Sequence, residues 1–246
     1  ADIMKQSPAI PDTAIVLAAG RGKRMGALTE SLPKPLIEIE GRALVDHVLD
    51  RLALVGVKRA VVNLHYRGDA IERHLQPRRD IAIEFSREQT ALETGGGIRK
   101  ALPLLGETFY AVNADVFWLD GRLPALARLA RKFAAEPFDA VLLMQRATNA
   151  VGYDGPGDFF LDPMGLPRRR REREVAPQVF AGVEILHRRL FENAPEGAFS
   201  INLLWDRAIS RGKLGGLVHD GEWYHIGTQA GLAAATERLD TRRVER

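Results

Sequence analysis

Between Leu17 and Leu36 the chain reads LAAGRGKRMGALTESLPKPL. Arg21, Lys23 and Arg24 stand among Gly20, Gly22 and Gly26, and a further cation, Lys34, stands between Pro33 and Pro35. Glycine lets a backbone turn sharply and bring its N–H groups against a ligand. Successive N–H groups aimed one way form an anion-binding nest. The flanking prolines restrict the backbone on both sides of Lys34, so that its charge is held at a fixed place. The chemistry these residue types suit is phosphate binding. The glycine spacing, G-x-G-x-x-x-G, is not the dinucleotide spacing G-x-G-x-x-G, and no G-x-x-x-x-G-K-[ST] loop is present. The remainder of a protein-kinase signature is missing as well.

A second candidate is Glu93-Thr94-Gly95-Gly96-Gly97. Three consecutive glycines are entropically costly and need a reason, such as close approach of a flat ligand. The helix expected to follow favours negative charge at its start. Asn113-Ala114-Asp115 ends a buried run, and an aspartate there suits Mg²⁺, which takes carboxylate, phosphate and water oxygens. In Trp223-Tyr224-His225-Ile226-Gly227-Thr228 the neutral imidazole of His225 is a poor partner for Mg²⁺ and a better one for softer divalent ions such as Mn²⁺ or Co²⁺. Gly157-Asp158 and Gly182-Val183-Glu184 place glycines beside carboxylates that can accept hydroxyl hydrogen bonds. The run RRRRERE at Arg168–Glu174 reads as a solvated hairpin of mixed charge rather than a nucleic-acid surface.

These residues need a scaffold. Short apolar runs at 13–18, 59–64, 81–85, 108–113 and 140–144 read as buried strands. Helical periodicity at 44–55, 69–75, 95–102 and 123–133 alternates with them, and Gly56 and Pro103 supply stops. Such alternation implies βαβ crossovers and a mainly parallel sheet. After about residue 147 the pattern changes: Phe159–Leu161, a turn at 162–165 and Arg168–Val175 predict an antiparallel hairpin. Val179–Leu186 and Leu214–Val218 read as strands, Leu203–Ile209 and Gln229–Leu239 as helices. The expected organisation is an N-terminal extension over 1–12 and one domain over 13–240, with a nucleotide-binding half at 13–115 and a sugar-binding half at 116–240. A tail follows at 241–246.

Composition narrows the partners. With no cysteine, thiol nucleophiles, thiolate metal sites and disulfides are excluded. A formal charge of only +3 and 7% aromatic residues argue against a nucleic-acid partner. No apolar run approaches the roughly 18–20 residues that span a bilayer, and the polar start lacks the apolar core of a signal peptide. The expectation is a cytoplasmic protein acting on anionic small molecules, as a monomer or small homo-oligomer.

The Leu17–Leu36 segment resembles the signature of the sugar-1-phosphate nucleotidyltransferases, L-A-A-G-x-G-x-R-M-x-P-L-T followed by P-K-P; Ala27 stands where that family usually has proline. Glu93–Gly97, within LETGGGI, resembles the base and ribose contact of its uridylyltransferases, especially the N-acetylmuramate 1-phosphate uridylyltransferases, and ALPLLG at Ala101–Gly106 continues the likeness. The resemblance runs from Thr13 to about Leu239. It implies an α/β, Rossmann-like (GT-A-like) fold with a mostly parallel mixed central sheet flanked by helices. It implies that Leu17, Ala18, Ala19, Gly20, Gly22, Arg24, Lys34, Glu93, Thr94, Gly95 and Gly96 bind an NTP, UTP in this reading. It makes Arg24, Lys34 and Asp115 catalytic, and Asn113, Gly157, Asp158, Gly182 and Glu184 the contacts of a sugar 1-phosphate, N-acetylmuramate 1-phosphate in this reading. It puts the metal, Mg²⁺ with Mn²⁺ or Co²⁺ as alternatives, on Asp115 and His225. His225 stands where the family's second aspartate usually does. The lysine that many members use for the sugar phosphate has no counterpart; Arg168–Arg171 are the nearby cations. Two alternatives stay open: a mannose or heptose 1-phosphate guanylyltransferase, and a non-catalytic nucleotide sensor.

Overall fold

A computed structural model describes residues 9–244. Residues 1–8 of the expected N-terminal extension, and 245–246 of the expected tail, lie outside the described residues. The first half is a βαβ series. Strand β1 (Thr13–Leu17) leads through the glycine turn to α1 (Leu44–Val55), followed by β2 (Arg59–Leu64), α2 (Gly68–Leu75), β3 (Ala82–Arg87), α3 (Glu93–Ala101) and β4 (Thr108–Asn113). Helix α1 ends at Gly56, whose φ of 105° is a left-handed cap that a side chain rarely adopts. Then come β5 (Phe117–Leu119), α4 (Ala125–Ala135), β6 (Ala140–Arg146), β7 (Ala150–Val151), β8 (Phe159–Leu161), β9 (Pro167–Arg169) and β10 (Gln178–His187). The chain closes with α5 (Asn202–Ser210), β11 (Leu214–Val218), β12 (Glu222–Tyr224) and α6 (Gln229–Val244).

One nine-stranded sheet runs through both halves, in the order β9-β8-β10-β4-β1-β2-β3, with β6 paired to β10 and β11 to β6. Strands β4, β1, β2 and β3 are mutually parallel, as crossover helices require. Strand β10 enters antiparallel between β4 and β6 and makes the sheet mixed. The side chains of β1 alternate in faces: Ala14 and Val16 join the core under α1 and α4, whereas Ile15 joins the core under α3 and α5. A three-stranded patch of β5, β12 and β7 lies beside this sheet. Among the described residues no helix is long and apolar enough to cross a membrane.

Three local readings need correction. Helix α3 begins at Glu93, two residues before the expected start at Gly95, so Glu93 and Thr94 belong to its first turn. The second arm of the hairpin stops at Arg169, because Arg173 takes a left-handed φ of 69° and Glu174 turns back to accept from the Arg171 N–H and from Arg168. The last helix continues beyond Leu239 to Val244.

Candidate active site

The site grows from the carboxyl ends of three parallel strands. Leu17 pairs in register with Asn63 on one side and Asn113 on the other, so the ends of β1, β2 and β4 form one row. Open parallel sheets bind ligands at such a row. The chain leaves Leu17 into the glycine turn. Asn63 Oδ1 accepts from the Ala18 N–H at 2.7 Å and fixes its first step. Asn63 Nδ2 donates to Glu88 Oε1 at 2.8 Å, and Glu88 Oε2 accepts from the Leu92 N–H at 3.1 Å. This buried amide–carboxylate pair therefore holds the phosphate-loop candidate and the approach to α3 in one frame. Nothing in the sequence spacing singles out Asn63 or Glu88; a polar residue next to the end of a mostly apolar strand is the only signal, and it serves Asn63 alone.

Gly22 turns with a φ of 62°, and a Cβ there would sit 3.1 Å from Lys34 Cβ and 3.2 Å from Thr29 Cγ2. The turn thus packs against the proline-flanked lysine. Lys34 is buried, and its Nζ reaches Asp115 Oδ2 at 2.6 Å across 81 residues of sequence. Asp115 stands two residues beyond the end of β4, and the intervening Ala114 N–H donates to Leu17 O at 3.0 Å. The cation of one motif and the carboxylate of another are brought to one point.

Three adjoining cavities meet around Asn113, which lines each of them. The largest, about 510 Å³, is walled by Ala19, Gly20 and Arg21 on one side and by His65, Glu93 and Thr94 on the other, with Asp115 at its edge. A second, about 310 Å³, gathers Arg24, Lys34, Asp115, Asp158, Gly182 and His225. The third, about 330 Å³, is lined by Asp158, Arg169, Glu184, Asn202 and Trp205 among others. Each is of the size that small-molecule sites occupy.

His225 follows β12 and lies edge-on to the Tyr153 ring at 5.6 Å between centroids. Burial lowers its pKa below the ordinary imidazole value; the charges of Lys34 and Arg24 act in the same direction, and Asp115 acts against them. The imidazole is therefore neutral at pH 7. Glu184 is fully buried, which pushes its carboxyl up to about 8, while a 2.9 Å hydrogen bond from Trp205 Nε1 works the other way. Gly182 takes a φ of 76° at the register shift of β10, where a Cβ would lie 2.9 Å from Asn113 Nδ2.

Some of the expected residues sit behind the cavities. A Cβ on Gly95 would lie 2.3 Å from the Phe199 ring, one on Gly96 2.4 Å from Gly197 O, and one on Gly97 2.7 Å from Glu88 Oε1. The Gly96 N–H is already given to Phe199 O. The triple glycine thus has a packing reason, the seating of α3 against two neighbouring segments. Its two preceding residues, Glu93 and Thr94, are the ones that reach the cavity. Gly157 likewise serves packing: its φ is 77°, and a Cβ there would fall 2.0 Å from Ala176 O.

Comparison with known proteins agrees with this architecture. Residues 14–196 match the MobA-like NTP transferase domain. The chain is 41% identical over 243 residues to an N-acetylmuramate alpha-1-phosphate uridylyltransferase of Caulobacter vibrioides, covering 96% of this chain and 99% of that one. It is 31% identical over 234 residues to the Neisseria meningitidis protein of the same description, covering 90% and 96%. In fold it is similar to the crystal structure of HddC from Yersinia pseudotuberculosis, with a TM-score of 0.73, 21% identity and coverage of 92% and 99%. The chain belongs to the MobA-like NTP transferase family, among its sugar-1-phosphate nucleotidyltransferases.

Proposed function

We propose that this enzyme transfers UMP from UTP to N-acetylmuramate 1-phosphate and releases pyrophosphate. The observation that carries the reading is the 2.6 Å meeting of Lys34 and Asp115 where the three cavities join. The uridylyl and N-acetylmuramate assignments are supported by LETGGGI and by the names of the two relatives described above.

In this reading the nucleotide lies in the 510 Å³ cavity, its triphosphate over Ala19–Arg21, and the sugar 1-phosphate enters from the side of Asp158 and Glu184. An oxygen of the sugar phosphate attacks the α-phosphorus. A new P–O bond forms, the bond between the α-phosphorus and the bridging oxygen breaks, and that electron pair leaves with pyrophosphate. No protein nucleophile is required. Lys34 and Arg24 offset the charge gathering on the phosphates, and the frame of Asn63 and Glu88 keeps the turn in place. Catalysis is then positioning and charge stabilisation. Asp115 would be the carboxylate ligand of a hard divalent cation: Lys34 takes one of its oxygens, Oδ2, and, since among the described residues no group of three acidic, histidine or cysteine side chains surrounds it, the remaining ligands would come from substrate and water. Mg²⁺ tolerates that arrangement because phosphates and water complete its shell. When bound it would add positive charge at the α-phosphate. Neutral His225 lines the same cavity and is the second candidate ligand.

The test is a pyrophosphate-release assay crossing four NTPs with a panel of sugar 1-phosphates in Mg²⁺ and in Mn²⁺. UTP with N-acetylmuramate 1-phosphate is expected to give the highest kcat/KM. Preference for GTP with a mannose or heptose 1-phosphate would replace this reading with the guanylyltransferase. Silence across the whole panel, with nucleotide still bound, would favour the sensor.

A further inference from the structure

We propose that Arg169 selects an acceptor that carries a carboxylate in addition to its 1-phosphate. The inference rests on the assignment of the third cavity to the acceptor sugar. That cavity touches the one holding Arg24, Lys34 and Asp115 through Asn113, Asp158 and Phe180. None of those three charged residues lines it; Arg169 is the one basic side chain among its walls. The reacting phosphate belongs beside Arg24 and Lys34. Arg169 therefore presents a second positive site on the far side of Asn113, where a different anionic group of the same acceptor would lie.

The guanidinium is pre-positioned. Arg169 Nε donates to Asp206 Oδ1 at 2.8 Å, and Nη2 donates to Asn202 Oδ1 at 3.0 Å. Its carbon lies 4.9 Å from the centroid of the Phe159 ring and 5.6 Å from that of Trp205. Among the described residues Nη1 has no hydrogen-bond partner, so donor capacity remains for a ligand. A planar guanidinium held on one edge and stacked on aromatic rings is suited to a carboxylate. Its neighbours in the run are used differently: Arg168 pairs with Glu174, in the segment after β9, and Arg170 donates to Gly157 O, just before β8, and to Glu174 O.

The surrounding acids do not cancel this site. Asp206 is more than half exposed, so solvent screens it. Asp158 turns one carboxylate oxygen to the Phe180 N–H, and it makes no ion pair with Arg169, whose partner is Asp206. Glu184 is buried against Trp205, and that burial raises its pKa to about 8, which favours the neutral carboxyl. N-acetylmuramate has the required chemistry, because its lactyl ether bears a carboxylate on the sugar ring away from the anomeric phosphate. N-acetylglucosamine is the same sugar without that group.

The test measures KM for N-acetylmuramate 1-phosphate and for N-acetylglucosamine 1-phosphate in the parent enzyme and in Arg169→Gln. The expected result is a rise of about 10- to 100-fold in KM for the carboxylate-bearing acceptor, with the ratio between the two acceptors collapsing toward one. An equal rise for both acceptors, or no rise for either, overturns the proposal. Arg169→Lys keeps the charge but loses the fork, and it should give an intermediate ratio if Arg169→Gln folds poorly. Calorimetry of free N-acetylmuramate against free N-acetylglucosamine on the parent protein separates this inference from the reading it rests on. If no sugar 1-phosphate turns over, the functional reading falls. Stronger binding of the carboxylate sugar, weakened in Arg169→Lys, would still uphold the role of Arg169; equal binding of both sugars would end it.

Discussion

Glu184 is a buried carboxyl with one strong partner, Trp205 Nε1, and is the one polar side chain in the interior of β10 between Gln178 and His187. Burial raises its pKa to about 8. Between the ordinary carboxylate range and pH 8 the unfolded chain has lost a proton that the folded chain keeps. Folding stability contributed by this group therefore falls as pH rises through that window, by up to about 1.4 kcal/mol per pH unit, and levels off above it. Glu184→Gln keeps an acceptor for Trp205 and removes the proton. Its melting temperature relative to the parent is expected to climb steadily from pH 5 to pH 8. A constant difference across that range, measured by thermal melts in matched buffers, would show that Glu184 is already ionised in the folded chain. The residue scale is also where sequence was least informative. Asn63, Glu88 and Arg169 earn their places through partners 25 to 45 residues away in the chain, and no local spacing announces such contacts. Arg169 was hidden in a run of like charges in which Arg168 and Arg170 bond to the segments flanking the hairpin.

At the scale of elements, the two glycine-rich segments look alike in sequence and do different work. The turn after β1 leaves Gly20 open, since a Cβ there meets nothing within 4 Å, and Gly20 lines the 510 Å³ cavity. Helix α3 uses its glycines to sit against Phe199, Gly197 and Glu88. Gly95→Ala would force a methyl group into Phe199 and should cost about 1–3 kcal/mol, as overpacking does. Gly20→Ala should leave the melting temperature of the parent unchanged and raise KM for the nucleotide, because its methyl group stands where the phosphates are placed. Thermal melts and nucleotide kinetics on the two variants decide this; an unstable Gly20→Ala with a stable Gly95→Ala would invert the assignment. The elements themselves were legible. Helix α1 and strands β2, β4 and β11 fall where periodicity and stop residues put them. The start of α3 was placed two residues late, at Gly95; three glycines in the first turns of a helix violate propensity, and only the close approach of distant segments explains them. The hairpin arm misled for a similar reason, since its end is set by the left-handed Arg173 rather than by any change in composition.

For the whole molecule, the alternation of strands and helices was enough to expect parallel pairing in the first half. It did not locate the antiparallel β10 between β4 and β6, because strand order depends on long-range packing and not on spacing. That insertion has a consequence for the site. It carries Gly182 and Glu184 to the edge of Asn113, so one sheet supplies both the nucleotide side and the acceptor side. The proposed reaction requires a triphosphate resting on the turn after β1, beside Lys34 and a cation on Asp115. Its most direct measurement is a crystal structure with a non-hydrolysable UTP analogue and Mn²⁺, whose anomalous signal locates the metal. The predicted result is phosphate density against Ala19–Arg21 and an anomalous peak within coordination distance of Asp115. Phosphate density elsewhere, or a metal peak away from Asp115, would contradict it.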